Sequence, residues 1–155
     1  MPAHARVQRT VNAPKEVVWE ILDDFPGIAN WSAGIQKSFT TGDASKVTGL
    51  GAERRCELGG EKLLDERISA YTEGQSMTVD VWNVEGLPLK SSLTTFSVRA
   101  VDDDSTEVTV AAEAVPKMPG FLAGLLSPMA SRFMAKNFSG LLDELATEAE
   151  SQQKA

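Results

Sequence analysis

Two charged side chains stand where a strand would turn them inward. In the stretch 51–58, Arg54, Cys56 and Leu58 fall at alternate positions, and in 62–71 so do Leu64, Glu66 and Ile68. Alternate residues of a strand share a face, so if the apolar members point into a core, Arg54 and Glu66 go with them. A carboxylate there is expected to pair with Arg54 or Lys37, or else to stay neutral, because desolvating an unpaired charge is costly. Such a pair either ties adjacent strands together or orients the polar group of a ligand. Asn137 is a third candidate. It lies one helical turn from both Phe133 and Leu141, which predicts that it projects toward the sheet from an apolar row. An amide buried there needs water, Lys37, Glu66 or a ligand, since an unmade hydrogen bond costs about 1–3 kcal/mol. The alternative is an amide satisfied within the core. Cys56, the only cysteine, reads as a small buried hydrophobe more readily than as a nucleophile. His4, the only histidine, lies by the amino end and is badly placed to serve as a base in a pocket.

The elements that must position these residues are legible in the patterning. Val7, Arg9 and Val11 alternate with Arg6, Gln8 and Thr10, predicting a first strand over 6–11. A helix follows, with Asn12 as its expected cap and Pro14 in its first turn, where the missing N–H costs nothing. Val18, Ile21, Leu22 and Phe25 recur at helical spacing until Pro26-Gly27 ends the run, and a second short helical turn is expected over 28–31. Five segments rich in β-branched residues come next, at 34–41, 51–58, 62–71, 76–84 and 89–101, and a sixth at 107–115. Gly59-Gly60 marks a tight hairpin. Met77, Val79 and Val81 alternate with Thr78 and Asp80, the pattern of an antiparallel sheet with one buried and one wet face. A last helix is predicted from about Phe121 to Ala149, with Phe133, Met134, Phe138, Leu141, Leu142 and Leu145 as its apolar stripe. Its first turns are expected to break at Gly124 and Pro128, leaving the part before Ser131 as a separate turn or lid. One helix across the concave face of a strongly twisted sheet cannot fill it completely, which predicts a cavity.

The 155 residues are read as one domain spanning 1–155, with 146–155 as a frayed tail. With 22 acidic against 15 basic residues, the net charge of −7 opposes a phosphate backbone, so no nucleic acid partner is expected. The single cysteine excludes an internal disulfide, and the ligand spacing of a zinc site is missing; neither metal nor cofactor is expected. No apolar run reaches the ~18 residues of a membrane span, and the first residues do not resemble a signal peptide, so the expected location is the cytoplasm without stable membrane insertion.

In this order the motifs resemble the START-related, Bet v 1-like superfamily, in its polyketide cyclase/dehydrase and lipid transport branch. The carriers are Asn12-Ala13-Pro14-x-x-Val17-Val18-Trp19, the Trp31 region, Gly49-x-Gly51 before Arg54, Glu66-Arg67-Ile68, and the final amphipathic helix. The resemblance covers about 3–148. It implies an α+β helix-grip fold: a curved seven-stranded antiparallel sheet wrapped around a long C-terminal helix, with two short helices between the first two strands. The chain is also similar, more loosely, to plant abscisic acid receptors. That likeness implies pocket roles for Lys37 as a lysine for a ligand carboxylate, and for Glu66, Ser92 and Asn137. The receptors' Ser-Gly-Leu-Pro-Ala gate has only Gly59-Gly60-Glu61 in its place, so gated hormone sensing is not implied.

The expected function is to bind or transport a small, largely apolar ligand, as monomer or homodimer. The expected contacts are Lys37, Arg54, Cys56, Glu66, Met77, Val79, Ser92, Phe96, Phe133, Asn137 and Leu141. A cyclase or dehydratase acting by substrate positioning is the first alternative, with Glu66, Lys37 or Arg54 moving or stabilising charge. An accessory protein of a larger redox or membrane complex, docking through the Met118–Met129 segment, is the second. Met118, Phe121, Leu122, Leu125, Leu126 and Met129 are read as core cap, ligand gate or docking surface.

Overall fold

Alternation assigns the two faces of the sheet, and the pairing register fixes which residues meet across it. The computed structural model describes residues 3–117 and 120–153, with the backbone alone for 120–127. Strand β1 (Ala3–Val11) leads into α1 (Lys15–Asp23) and a 3-10 helix (Phe25–Asn30). Strands β2 (Lys37–Thr41), β3 (Glu53–Gly59), β4 (Lys62–Thr72), β5 (Ser76–Glu85), β6 (Leu89–Asp102) and β7 (Ser105–Pro116) follow, and α2 (Gly120–Gln153) closes the chain. All pairings are antiparallel, in the order β1-β7-β6-β5-β4-β3-β2. This is the helix-grip arrangement.

The β3–β4 hairpin turns on Gly60 and Glu61, both with positive φ, as a two-residue turn matched to strand twist requires. In β4–β5 the pairs Asp65↔Asn83 and Glu66↔Val81 leave Trp82 as an extra residue. This bulge resets the alternation, so that Val81 and Val84 are both buried although they are three positions apart.

The core lies between the concave face and two helical surfaces. Val18, Ile21, Leu22 and Phe25 come from the α1 side, Ile68, Val79, Val108 and Val110 from the sheet, and Leu142, Leu145, Ala146 and Ala149 from α2. The last four recur at i, i+3, i+4 and i+7, one face of a helix. α2 also covers the open edge of β1 through side-chain acceptors: Ser131 Oγ takes the His4 N–H (3.2 Å), Asp143 pairs with Arg9, and Glu150 takes the Asn12 N–H (3.0 Å). An edge strand capped in this way is shielded from pairing with other chains.

Three expectations are corrected. Helix α1 begins at Lys15 with Pro14 at its cap position, and the Asn12 side chain is not the cap. Helix α2 runs unbroken through Pro128. Proline there forfeits one bond, to the carbonyl of Gly124, and the helical turns on both sides hold the axis. The stretch 146–153 is helical, because Ala146 and Ala149 are core residues and Glu150 is tied to β1. Met118 and the side chains of Phe121, Leu122, Leu125 and Leu126 lie outside the described residues. No helix among the described residues is long and apolar enough to cross a membrane.

Candidate functional site

Register brings Arg54 and Glu66 directly opposite each other on β3 and β4. Both point to the concave side and are buried, at 5% and 7% exposure. Arg54 Nε and Nη2 donate to the two oxygens of Glu66 at 3.3 Å each, and Nη1 donates to the Phe25 carbonyl at 2.6 Å. The guanidinium carbon stands 3.9 Å from the centroid of the Phe25 ring, a cation–π contact. Arginine offers five N–H groups, so these three bonds leave two for water or a guest. The Cys56 thiol donates to Glu66 Oε1 at 3.0 Å. Burial, and then the neighbouring Glu66 charge, push that thiol's pKa up, which keeps it protonated and a poor nucleophile.

One residue along, the same two strands carry a second pair on the opposite face. Arg55 holds Asp65 with bonds of 2.8 and 3.0 Å, and Asn83 adds a third at 2.8 Å. The bond from Arg55, aided by Asn83, holds the Asp65 carboxyl below the usual carboxylate range. A one-residue step changes the face of a strand, so the two pairs serve different sides of the sheet.

Beside Arg54 lies a small, partly open cavity. Ile21, Leu22, Phe25, Ile28, Trp31 and the exposed Asp24 wall it from the helical side, and Met77, Val79 and Phe96 from β5 and β6. Its free space is about 10 Å3, room for a single water. Trp31 lines the cavity, and its buried indole N–H has no hydrogen-bond partner among the described residues. The wall is pinned in place. The Ser38 hydroxyl donates to the Pro26 carbonyl (2.6 Å) and accepts from the Ala29 N–H (3.0 Å), tying the 3-10 helix to β2. Glu144 of α2 accepts from the Ser32 hydroxyl (3.3 Å) and the Ala33 N–H (2.7 Å). A wider depression of about 510 Å3, bounded by Arg6, Leu93, Thr95 and Glu113, lies on the convex face as an open trough.

The structure therefore gathers Arg54, Cys56, Glu66, Met77, Val79 and Phe96 around one interior. Leu141 is half-buried against the core. Ser92 is half-buried on the same face, opposite Val81 and Ala114, away from the cavity wall. Lys37 stands apart. It pairs with Glu57, and Ser38 with the buried Cys56, so Lys37 is on the convex face, exposed, with its ammonium 5.2 Å from the Phe39 ring. Asn137 and Phe133 are also exposed. Each four-residue step of a helix advances about 40° beyond a full turn. The row Leu141, Asn137, Phe133 thus winds away from the core face, and the expected projection of Asn137 toward the sheet is corrected. His4 is exposed. Ser38, Glu144 and the Phe25 carbonyl carried no signal in the sequence, because a backbone carbonyl and single polar residues on a short strand or a helix flank have no periodicity of their own.

A neighbouring polar cluster makes a pH prediction. Tyr71, the chain's single tyrosine, donates to Asp23 Oδ1 at 2.7 Å, and its ring centroid is 5.8 Å from that of Trp19. Burial, and then the bond to Asp23, push its pKa up to about 12. An acid whose folded pKa lies above its unfolded value near 10 favours the folded state below pH ~10. That contribution disappears as pH rises from about 10 to about 12. Ultraviolet titration is expected to show native Tyr71 ionising near the upper value and urea-unfolded Tyr71 near the lower. Equal midpoints would contradict the bond.

The family model described as "Polyketide cyclase / dehydrase and lipid transport" matches residues 2–150. No curated protein matches the chain. Among solved structures, a START superfamily protein from Mycobacterium smegmatis superposes with a TM-score of 0.80 at 16% identity, covering 96% of this chain and 98% of that one. The Zhui aromatase/cyclase from a Streptomyces species gives 0.80 at 18% identity, covering 100% and 98%. A protein from Thermobifida fusca gives 0.68 at 22% identity, covering 94% and 92%.

Proposed function

The chain belongs to the polyketide cyclase/dehydrase and lipid transport family, and from that premise we propose that it binds a small, largely apolar molecule between α1, the 3-10 helix and the concave face of the sheet. One observation carries this reading. A small, partly open cavity lined mostly by aliphatic and aromatic side chains, with Asp24 among them, adjoins a buried guanidinium with two N–H groups to spare, and Trp31 in its wall carries an indole N–H without a partner among the described residues. Binding sites for small molecules have this composition: mostly apolar, with a few placed polar groups.

The guest must make its own room. About 10 Å3 is far below the ~300 Å3 at which ligand pockets begin, so binding requires Phe25, Ile28 and Trp31 to part from Met77, Val79 and Phe96. Affinity falls by the fraction of molecules that are open. Binding without turnover is favoured over a cyclase reaction, because Cys56 stays a thiol and Glu66 is engaged by Arg54.

Native mass spectrometry of protein purified from its own host, followed by incubation of any co-purified molecule with wild type and Glu66→Gln, tests this. The expected result is a retained apolar molecule of unchanged mass. A product formed by wild type and lost in Glu66→Gln would transfer the case to an enzyme. Absence of any retained molecule, together with no uptake of an apolar dye such as ANS, would remove the binding reading.

A further inference from the structure

The outward face of α2 differs in charge from the rest of the molecule. The chain holds 22 acidic residues, yet none falls between Glu113 and Asp143, where the charges are Lys117, Arg132 and Lys136. Met129, Arg132, Phe133 and Lys136 stand at i, i+3, i+4 and i+7, within about 100° of the helix circumference. They are opposite the side that carries Ser131, bonded to β1, and Leu142 and Leu145, in the core. Met129 and Phe133, 68% and 67% exposed, are the most exposed large apolar side chains among the described residues. Arg132 and Lys136 are exposed, and neither forms an ion pair among the described residues. The Lys117 ammonium donates to the Val84 carbonyl at 3.1 Å.

We propose that this face docks the protein on an anionic lipid surface. Among the described residues the patch consists of two apolar side chains flanked by two cations, small beside the roughly 20–30 residues a side of a stable protein interface. The same patch suits the boundary of a bilayer, where the phenyl and thioether groups enter the headgroup layer and the cations meet lipid phosphates and carboxylates. The acidic remainder of the chain sets the orientation. Repulsion of that acidic remainder by the same surface turns this face toward it. The proposal does not require an interior guest.

Co-sedimentation with phosphatidylcholine vesicles, with and without phosphatidylserine, tests it. Binding is expected on the phosphatidylserine vesicles alone and is lost in high salt. Arg132→Ala and Lys136→Ala should each weaken it about fivefold, and the pair about 25-fold. Phe133→Ser should weaken it further with no change in thermal melting, because the position is exposed. Equal partition onto both vesicle types, no partition at all, or indifference to the double substitution would overturn the proposal. Dye uptake measured without vesicles reports separately on the interior, so the two readings fail independently.

Discussion

Glu66→Ala is expected to lower the unfolding free energy by about 3–5 kcal/mol, because it leaves a buried guanidinium without its counter-charge. Arg54 is 5% exposed, and its remaining contacts are the Phe25 carbonyl and the face of the Phe25 ring. Neither is an anion. The Arg54→Met/Glu66→Leu double variant removes both charges and keeps the volume, so it should lie within about 1–2 kcal/mol of wild type, on either side. Urea unfolding of the four proteins in the cycle gives the coupling energy directly. A loss below about 1 kcal/mol for Glu66→Ala would mean that water already reaches Arg54. The pair is thus a probe of the cavity as well as of stability.

The second large effect is at Phe96. This ring is buried on β6 opposite Met77 on β5 and Val110 on β7, and it forms one wall of the small cavity. Truncation to alanine removes its contacts and leaves space that the close-packed sheet cannot collapse, so Phe96→Ala should cost about 3–5 kcal/mol. The enlarged cavity is apolar and should stay dry enough to accept a guest. Phe96→Ala is therefore expected to take up an apolar dye more tightly than wild type while it remains folded. A variant that loses stability but gains no dye affinity would show that the void collapses, and that the proposed binding space lies elsewhere.

Part of this site is legible in the sequence, and the reason differs by residue. Arg54 and Glu66 lie among apolar alternates, Cys56 and Leu58 on one strand and Leu64 and Ile68 on the other, so the parity of their neighbours carried them inward. Lys37 shares the parity of Ile35 and Phe39 in Ile35-Gln36-Lys37-Ser38-Phe39-Thr40, so alternation there points it to the wrong side. Its face was settled only by the pairing of Ser38 with Cys56. Asn137 failed for a different reason: three residues at steps of four look like one row on paper, whereas on a helix that row winds off the core face. Pro128 looked like a break, yet the backbone runs through it, because the cost of one lost bond is spread against a long, docked helix.

By itself the amino-acid order determined the seven strands, the two short helices and long final helix, and that Arg54 and Glu66 each share a face with apolar neighbours, because strand and helix periods are local properties that each segment carries alone. The register bulge at Trp82, the convex placement of Lys37, the outward turn of Phe133 and Asn137, and the near-closure of the interior were decided only in three dimensions. Each depends on which segments meet and how their side chains share volume, and packing at that scale is set by atoms distant in the chain.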